Sequence, residues 1–97
     1  MQRDEALRIL SALRPTMVER FGVKRIRLFG STARNEARED SDVDVLVEFE
    51  RPATFDGYFG LLHFLEDQLG VSVDLVTEKG LKERVSPNVE QDAIHVA

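Results

Sequence analysis

The residues best placed to do chemistry are Gly30 and Ser31 and, after ten intervening positions, Asp42 and Asp44. On a strand, residues two apart face the same side, so Asp42 and Asp44 would present two carboxylates about 6 to 7 Å apart along the backbone, free to converge on one point. A third acid, Asp74, stands within Val-Ser-Val-Asp-Leu-Val, the composition of a buried strand, where an uncompensated carboxylate is strongly disfavoured. If its strand lies beside the first, all three acids meet. Two carboxylates about 4 Å apart at an effective dielectric near 20 repel by roughly 4 kcal/mol, so either one keeps its proton or a cation binds. Hard oxygen donors with neither His nor Cys nearby favour Mg²⁺ or Mn²⁺, which keep several waters and bridge to substrate phosphates. Gly30-Ser31 at a strand end supplies the complementary half. Glycine lets the chain approach closely, exposed amides and a hydroxyl receive an anion, and Arg34 offers a further contact to a phosphate oxygen. The four fixed positions Gly, Ser, Asp, Asp recur by chance in about one chain of this length per thousand, so the spacing is evidence in itself. Each residue also has an ordinary reading: a solvated acidic edge for Asp42 and Asp44, an exposed edge-strand position for Asp74, and a surface ion pair with Glu36 or Glu39 for Arg34.

The elements that must hold these residues are legible from periodicity. Val23 to Phe29 alternates Ile26 and Leu28 against Lys24, Arg25 and Arg27, and Asp42 to Phe49 puts Val43, Val45, Val47 and Phe49 opposite Asp42, Asp44, Leu46 and Glu48. Both read as strands, as does Val71 to Val76, in which Asp74 faces away from Val71, Val73 and Leu75. Before them, Leu7, Leu10, Leu13, Met17 and Phe21 mark a helical face. Pro15 interrupts it, which predicts one helix over about 4 to 13 and a second, short one from Pro15 to Gly22. Residues 31 to 41 read as a loop with one helical turn between Thr32 and Ala37. Thr54 caps a predicted helix that ends at Gly70 and carries Phe55, Tyr58, Leu62, Leu65 and Leu69 as its core stripe, part of which is available to a partner. The tail suggests short helical pieces around Pro87 and an edge strand at Ile94 to Val96. His63 and His95 lack partners at metal-ligand spacing and read as structural.

Ninety-seven residues with 42% hydrophobic and 32% charged content are expected to form a single soluble domain, 1–97, with no room for a second one enclosing a large co-substrate. No apolar run reaches the roughly 18 residues of a membrane span, and the start is too charged for a secretory signal, which predicts a cytoplasmic protein. The absence of cysteine removes disulfides, thiol catalysis and Cys-type zinc sites. Eighteen acidic against thirteen basic residues, a net charge of −5, argue against sequence-independent adhesion to nucleic acid.

Leu28-Phe29-Gly30-Ser31-Thr32-Ala33-Arg34-Asn35-Glu36-Ala37, followed by Ser41-Asp42-Val43-Asp44-Val45-Leu46-Val47, resembles the minimal nucleotidyltransferases of the DNA polymerase beta superfamily. The resemblance runs from the first helix through Asp74. It implies an α/β fold of polymerase-beta type, a small mixed sheet backed by helices on one side. It implies that Gly30 and Ser31 hold the triphosphate of ATP, that Asp42 and Asp44 bind Mg²⁺, and that Asp74 completes one of two metal sites and assists the nucleophile. Asn35 departs from the glycine usual in relatives, and asparagine tolerates the left-handed backbone comparatively well. Free-standing members of this family are similar to antitoxins that adenylylate a tyrosine of a HEPN-domain ribonuclease toxin. The resemblance thus implies an adenylyltransferase and a HEPN partner in a hetero-oligomer. Two alternatives stand beside it: a non-catalytic antitoxin that occludes its partner stoichiometrically, and a small-molecule adenylyltransferase completed by a partner subunit.

Overall fold

In the computed structural model, which describes residues 1–38, 41–78, 80 and 93–96, the elements run α1 (Arg3–Phe21), β1 (Val23–Phe29), α2 (Gly30–Ala33), β2 (Val43–Phe49), α3 (Phe55–Leu69), β3 (Val73–Thr77) and β4 (Ile94–His95). The strands form a mixed sheet in the order β3-β2-β1-β4. β1 pairs antiparallel with β2 and with β4, while β2 and β3 are parallel and joined through α3, the crossover that a parallel pair requires.

Alternation along the strands sorts side chains onto two faces. Ile26 and Leu28 of β1, Val43, Val45 and Val47 of β2, and Val73 and Leu75 of β3 pack against Leu10 and Met17 of α1 and Leu61, Leu65 and Leu69 of α3. The other face carries a smaller cluster, Phe29, Leu46 and Val76, with Ala93 against it. Asp44, two residues before Leu46, and Asp74, two before Val76, belong to this second face. The mixed sheet with helices on one face is the architecture expected from the sequence, and the edge strand near Ile94 is present. The region around Pro87 lies outside the described residues.

Three expectations are corrected. α1 does not break at Pro15 but runs through it as one helix. Leu10 and Met17, on either side of the proline, are fully buried; at about 1.5 to 3 kcal/mol each, their burial outweighs the roughly 3 kcal/mol that an internal proline costs. Ser11, whose carbonyl loses its donor, is exposed, so the missing bond does not lie in the core. The helical turn after β1 begins earlier than expected, at Gly30, and is over by Ala33, with Asn35 at φ 60° just beyond. On α3 the buried stripe is Leu61, Leu65 and Leu69, whereas Phe55, assigned to the core by periodicity, is 77% exposed. The ends of α3 match expectation: the Thr54 hydroxyl accepts from Gly57 N at 3.0 Å and Gly70 terminates the helix. None of the described helices is long and apolar enough to cross a membrane.

Candidate active site

Sheet register decides which polar side chains meet. Phe29 is paired with Asp44 across β1 and β2, and Asp44 with Asp74 across β2 and β3, so the two acids occupy adjacent positions in one row. Neighbouring strands lie about 4.8 Å apart, close enough for the two carboxyls to act on each other. The Asp44 carboxyl is accordingly pushed up from its ordinary 3.8 to about 6, first by burial, then by the negative charges of Asp74 and Asp42; Arg34 opposes the rise. Asp42, one residue before β2, is exposed and acts on Asp44 through its charge.

Gly30 touches the same carboxylate. It takes φ +72°, and a Cβ built on it would run into Asp44 Oδ2 and lie 2.9 Å from Cγ. Glycine is therefore required twice, for the left-handed turn and for the close approach. The turn that follows is held by its own backbone: Arg34 N donates to Gly30 O at 3.2 Å, Asn35 N to Thr32 O at 3.0 Å and Glu36 N to Ser31 O at 2.8 Å. Ser31, half-buried, thus stands next to the acidic row on a closed turn. Arg34 donates to Glu36 at 3.2 Å, the surface pairing open to it from the sequence, yet its charge also reaches Asp44. The structure therefore gathers Gly30, Ser31, Asp42, Asp44 and Asp74 at one end of the sheet, with Arg34 beside them.

Two supports were not foreseen from sequence. Glu66 Oε2 accepts from Val73 N at 3.1 Å, fastening the end of α3 to the start of β3 one residue from Asp74. Asn35 Oδ1 accepts from Arg3 N at 3.2 Å, fastening the turn to the start of α1. Neither carries a local motif, since the partners are 7 and 32 positions apart. A polar cleft of about 650 Å³, lined by Ser41, Asp42, Glu66, Asp67 and Ser72 among others, opens beside Asp42. A larger concavity of about 760 Å³ lies at the opposite end of β2 and β3, along Glu50, Phe55, Tyr58, Phe59 and Thr77, away from the acids. Volume and chemistry therefore point to different places: the larger concavity has scattered polar groups such as Glu50, Tyr58 and Thr77, whereas the acidic end brings Asp42, Asp44 and Asp74 to bear on one another.

Among the described residues, no three acidic or histidine side chains close into a ready metal cage. The donor set nevertheless fits a hard divalent cation. A partly buried carboxyl crowded by the negative charges of two others is the environment such an ion stabilises, and Mg²⁺ takes only one or two protein carboxylates beside water and substrate phosphates.

Residues 10–96 match the sequence family described as a nucleotidyltransferase domain. The chain belongs to that family. This nucleotidyltransferase is 42% identical over 93 residues to the protein adenylyltransferase MntA of Thermococcus cleftensis, an alignment that covers 96% of this chain and 94% of that one. A solved structure described as a candidate minimal nucleotidyltransferase superposes on it with a TM-score of 0.78 at 45% identity, covering 97% of this chain and 95% of the other. A chain from the complex of a tri-AMPylated Shewanella oneidensis HEPN toxin with an MNT antitoxin superposes with a TM-score of 0.67 over 94% of this nucleotidyltransferase and 71% of that chain. At 17% identity that likeness is one of fold.

Proposed function

We propose that this nucleotidyltransferase transfers AMP from MgATP to a hydroxyl of a partner protein, a tyrosine of a HEPN-domain ribonuclease toxin, and so acts as the antitoxin in the cytoplasm. The observation that carries the reading is the register match of Asp44 with Asp74, with Gly30 against the same carboxylate, in a chain 42% identical to a protein adenylyltransferase. The solved toxin–antitoxin complex that shares this fold supports the choice of partner.

The roles follow from position. Gly30 and Ser31 receive the triphosphate where backbone can approach it most closely. Asp42, Asp44 and Asp74 would hold two Mg²⁺ ions. Metal bound there would supply positive charge against that developing on the α-phosphate and on the departing pyrophosphate. Asp74 orients the attacking hydroxyl and accepts its proton; the new bond joins that oxygen to the α-phosphorus, and the bond to the β-phosphate oxygen breaks to release pyrophosphate. Arg34, close enough to influence Asp44, contributes positive charge to the nucleotide.

The test is to mix a trace of this protein with a HEPN toxin, MgATP and labelled nucleotide and to follow the toxin by mass. Sub-stoichiometric enzyme should convert most of the toxin to forms heavier by whole AMP groups, with the label on tyrosine. Neutralisation that needs equimolar protein and ignores ATP would instead establish occlusion.

A further inference from the structure

α1 begins without a local cap. Gln2, at the position where Ser, Thr, Asp or Asn ordinarily satisfies an orphan amide, makes no side-chain cap bond. The first amide of the helix, that of Arg3, is taken instead by Asn35 Oδ1 at 3.2 Å, from 32 residues downstream. Among the described residues, Asn35 is also the non-glycine residue at positive φ, 60°, near the end of the turn that carries Gly30 and Ser31. A glycine would adopt that backbone as well but has no side-chain acceptor. Asparagine does both at once.

From this we infer that Asn35 is a positioning residue, which fixes the phosphate-binding turn by capping α1. The inference rests on the adenylyltransferase reading for what the turn holds. The turn leaves the sheet at Phe29, and its own bonds close it from Gly30 to Glu36. Ala33 seats the turn in the main core, Arg38 N donates to Ser41 Oγ at 3.0 Å and Ser41 N to Arg38 O at 3.1 Å beyond it, and the Arg3–Asn35 bond adds an anchor outside the turn. α1 provides a rigid one, because Leu10 and Met17 bury it in the main core. Asn35 thus couples the placement of Ser31 and Arg34 to a helix packed in the main core. It reaches the nucleotide only through the turn, so losing its acceptor should weaken nucleotide binding more than the chemical step.

Asn35→Gly keeps the backbone accessible and deletes the acceptor, while Asn35→Asp keeps both the acceptor and a side chain that tolerates the left-handed region, and suits a helix N-terminus. Asn35→Gly should speed amide exchange at Arg3 and raise KM for MgATP by about five-fold, the scale of one lost cap, with kcat changed less than two-fold. Asn35→Asp should restore both. Unchanged exchange at Arg3 in Asn35→Gly, or faster exchange with an unaltered KM, would overturn the assignment. If the wild-type protein transfers no AMP, the adenylyltransferase reading fails on that result. Arg3 exchange and the Kd for MgATP, measured by calorimetry, then decide the role of Asn35 by the same comparison.

Discussion

The Asp44 carboxyl titrates near 6 because burial and the charges of Asp74 and Asp42 all act against its ionised form. Since 6 lies above the ordinary 3.8, the folded protein holds a proton between about pH 4 and pH 6 that the unfolded chain has released. In the metal-free protein this makes stability fall as pH rises through that window, with the deficit complete above about pH 6. Discounted for the solvent screening of a partly buried group, the deficit is about 1 kcal/mol. Asp44→Asn should therefore stabilise the metal-free protein by about that amount at pH 7 but not at pH 4, while abolishing transfer. Urea melts at the two pH values check it; equal gains at both would mean that charge crowding is not the cause. The meeting of Asp44 with Asp74 is legible in the sequence because period-two alternation fixes the face of each, leaving only strand adjacency to be supplied. The Asn35 bond to Arg3 is not, since hydrogen-bond partners 32 residues apart leave no periodic trace.

Elements are legible where one physical signal dominates. β1 and β2 are apolar, β-branched runs closed by Gly30 and by Arg51-Pro52, and α3 begins at a Thr cap and ends at a Gly, so their bounds fall within a residue or so of expectation. The rotation of α3 is harder to read. Phe55, Tyr58, Leu61, Leu62 and Leu65 define two overlapping apolar stripes, and which one is buried depends on how the helix crosses the sheet, a tertiary choice. α1 shows the opposite failure, a strong local signal overruled: Pro15 reads as a break, but the packing of Leu10 and Met17 on both sides holds the helix together. Pro15→Ala should then stabilise the protein, because the new amide satisfies the Ser11 carbonyl and alanine is the better helix former, partly offset by the freer unfolded chain. A gain of about 1 to 2 kcal/mol, or about 4 to 8 °C in Tm per kcal/mol, is expected with activity unchanged. A fall in Tm would indicate that the packing of α1 depends on a bend at the proline.

At the scale of the whole molecule, the protein carries a net charge of −5 and places three of its aspartates at one end of the sheet, close to the turn meant for a polyanion. The two halves of the site are electrostatically incompatible unless positive charge is interposed, so nucleotide and metal should bind together rather than singly. Ligand that binds only the folded state raises its stability by mass action, by about 1.4 kcal/mol when free MgATP is ten times its Kd. In a domain of this size that is a Tm increase of about 5 to 10 °C. ATP with EDTA should give little of it, and Mg²⁺ alone only part. Asp44→Asn reverses the order of the two proteins: its metal-free form melts above the wild type at pH 7, and MgATP moves it little, so the wild type overtakes it as ligand is added. That crossing separates the loss of a binding site from damage to the fold, because a merely misfolded variant would melt lower under both conditions. An undiminished MgATP shift in Asp44→Asn would put the nucleotide somewhere other than the Asp44–Asp74 row, and the large concavity beside Phe55 and Thr77 would then be the place to look.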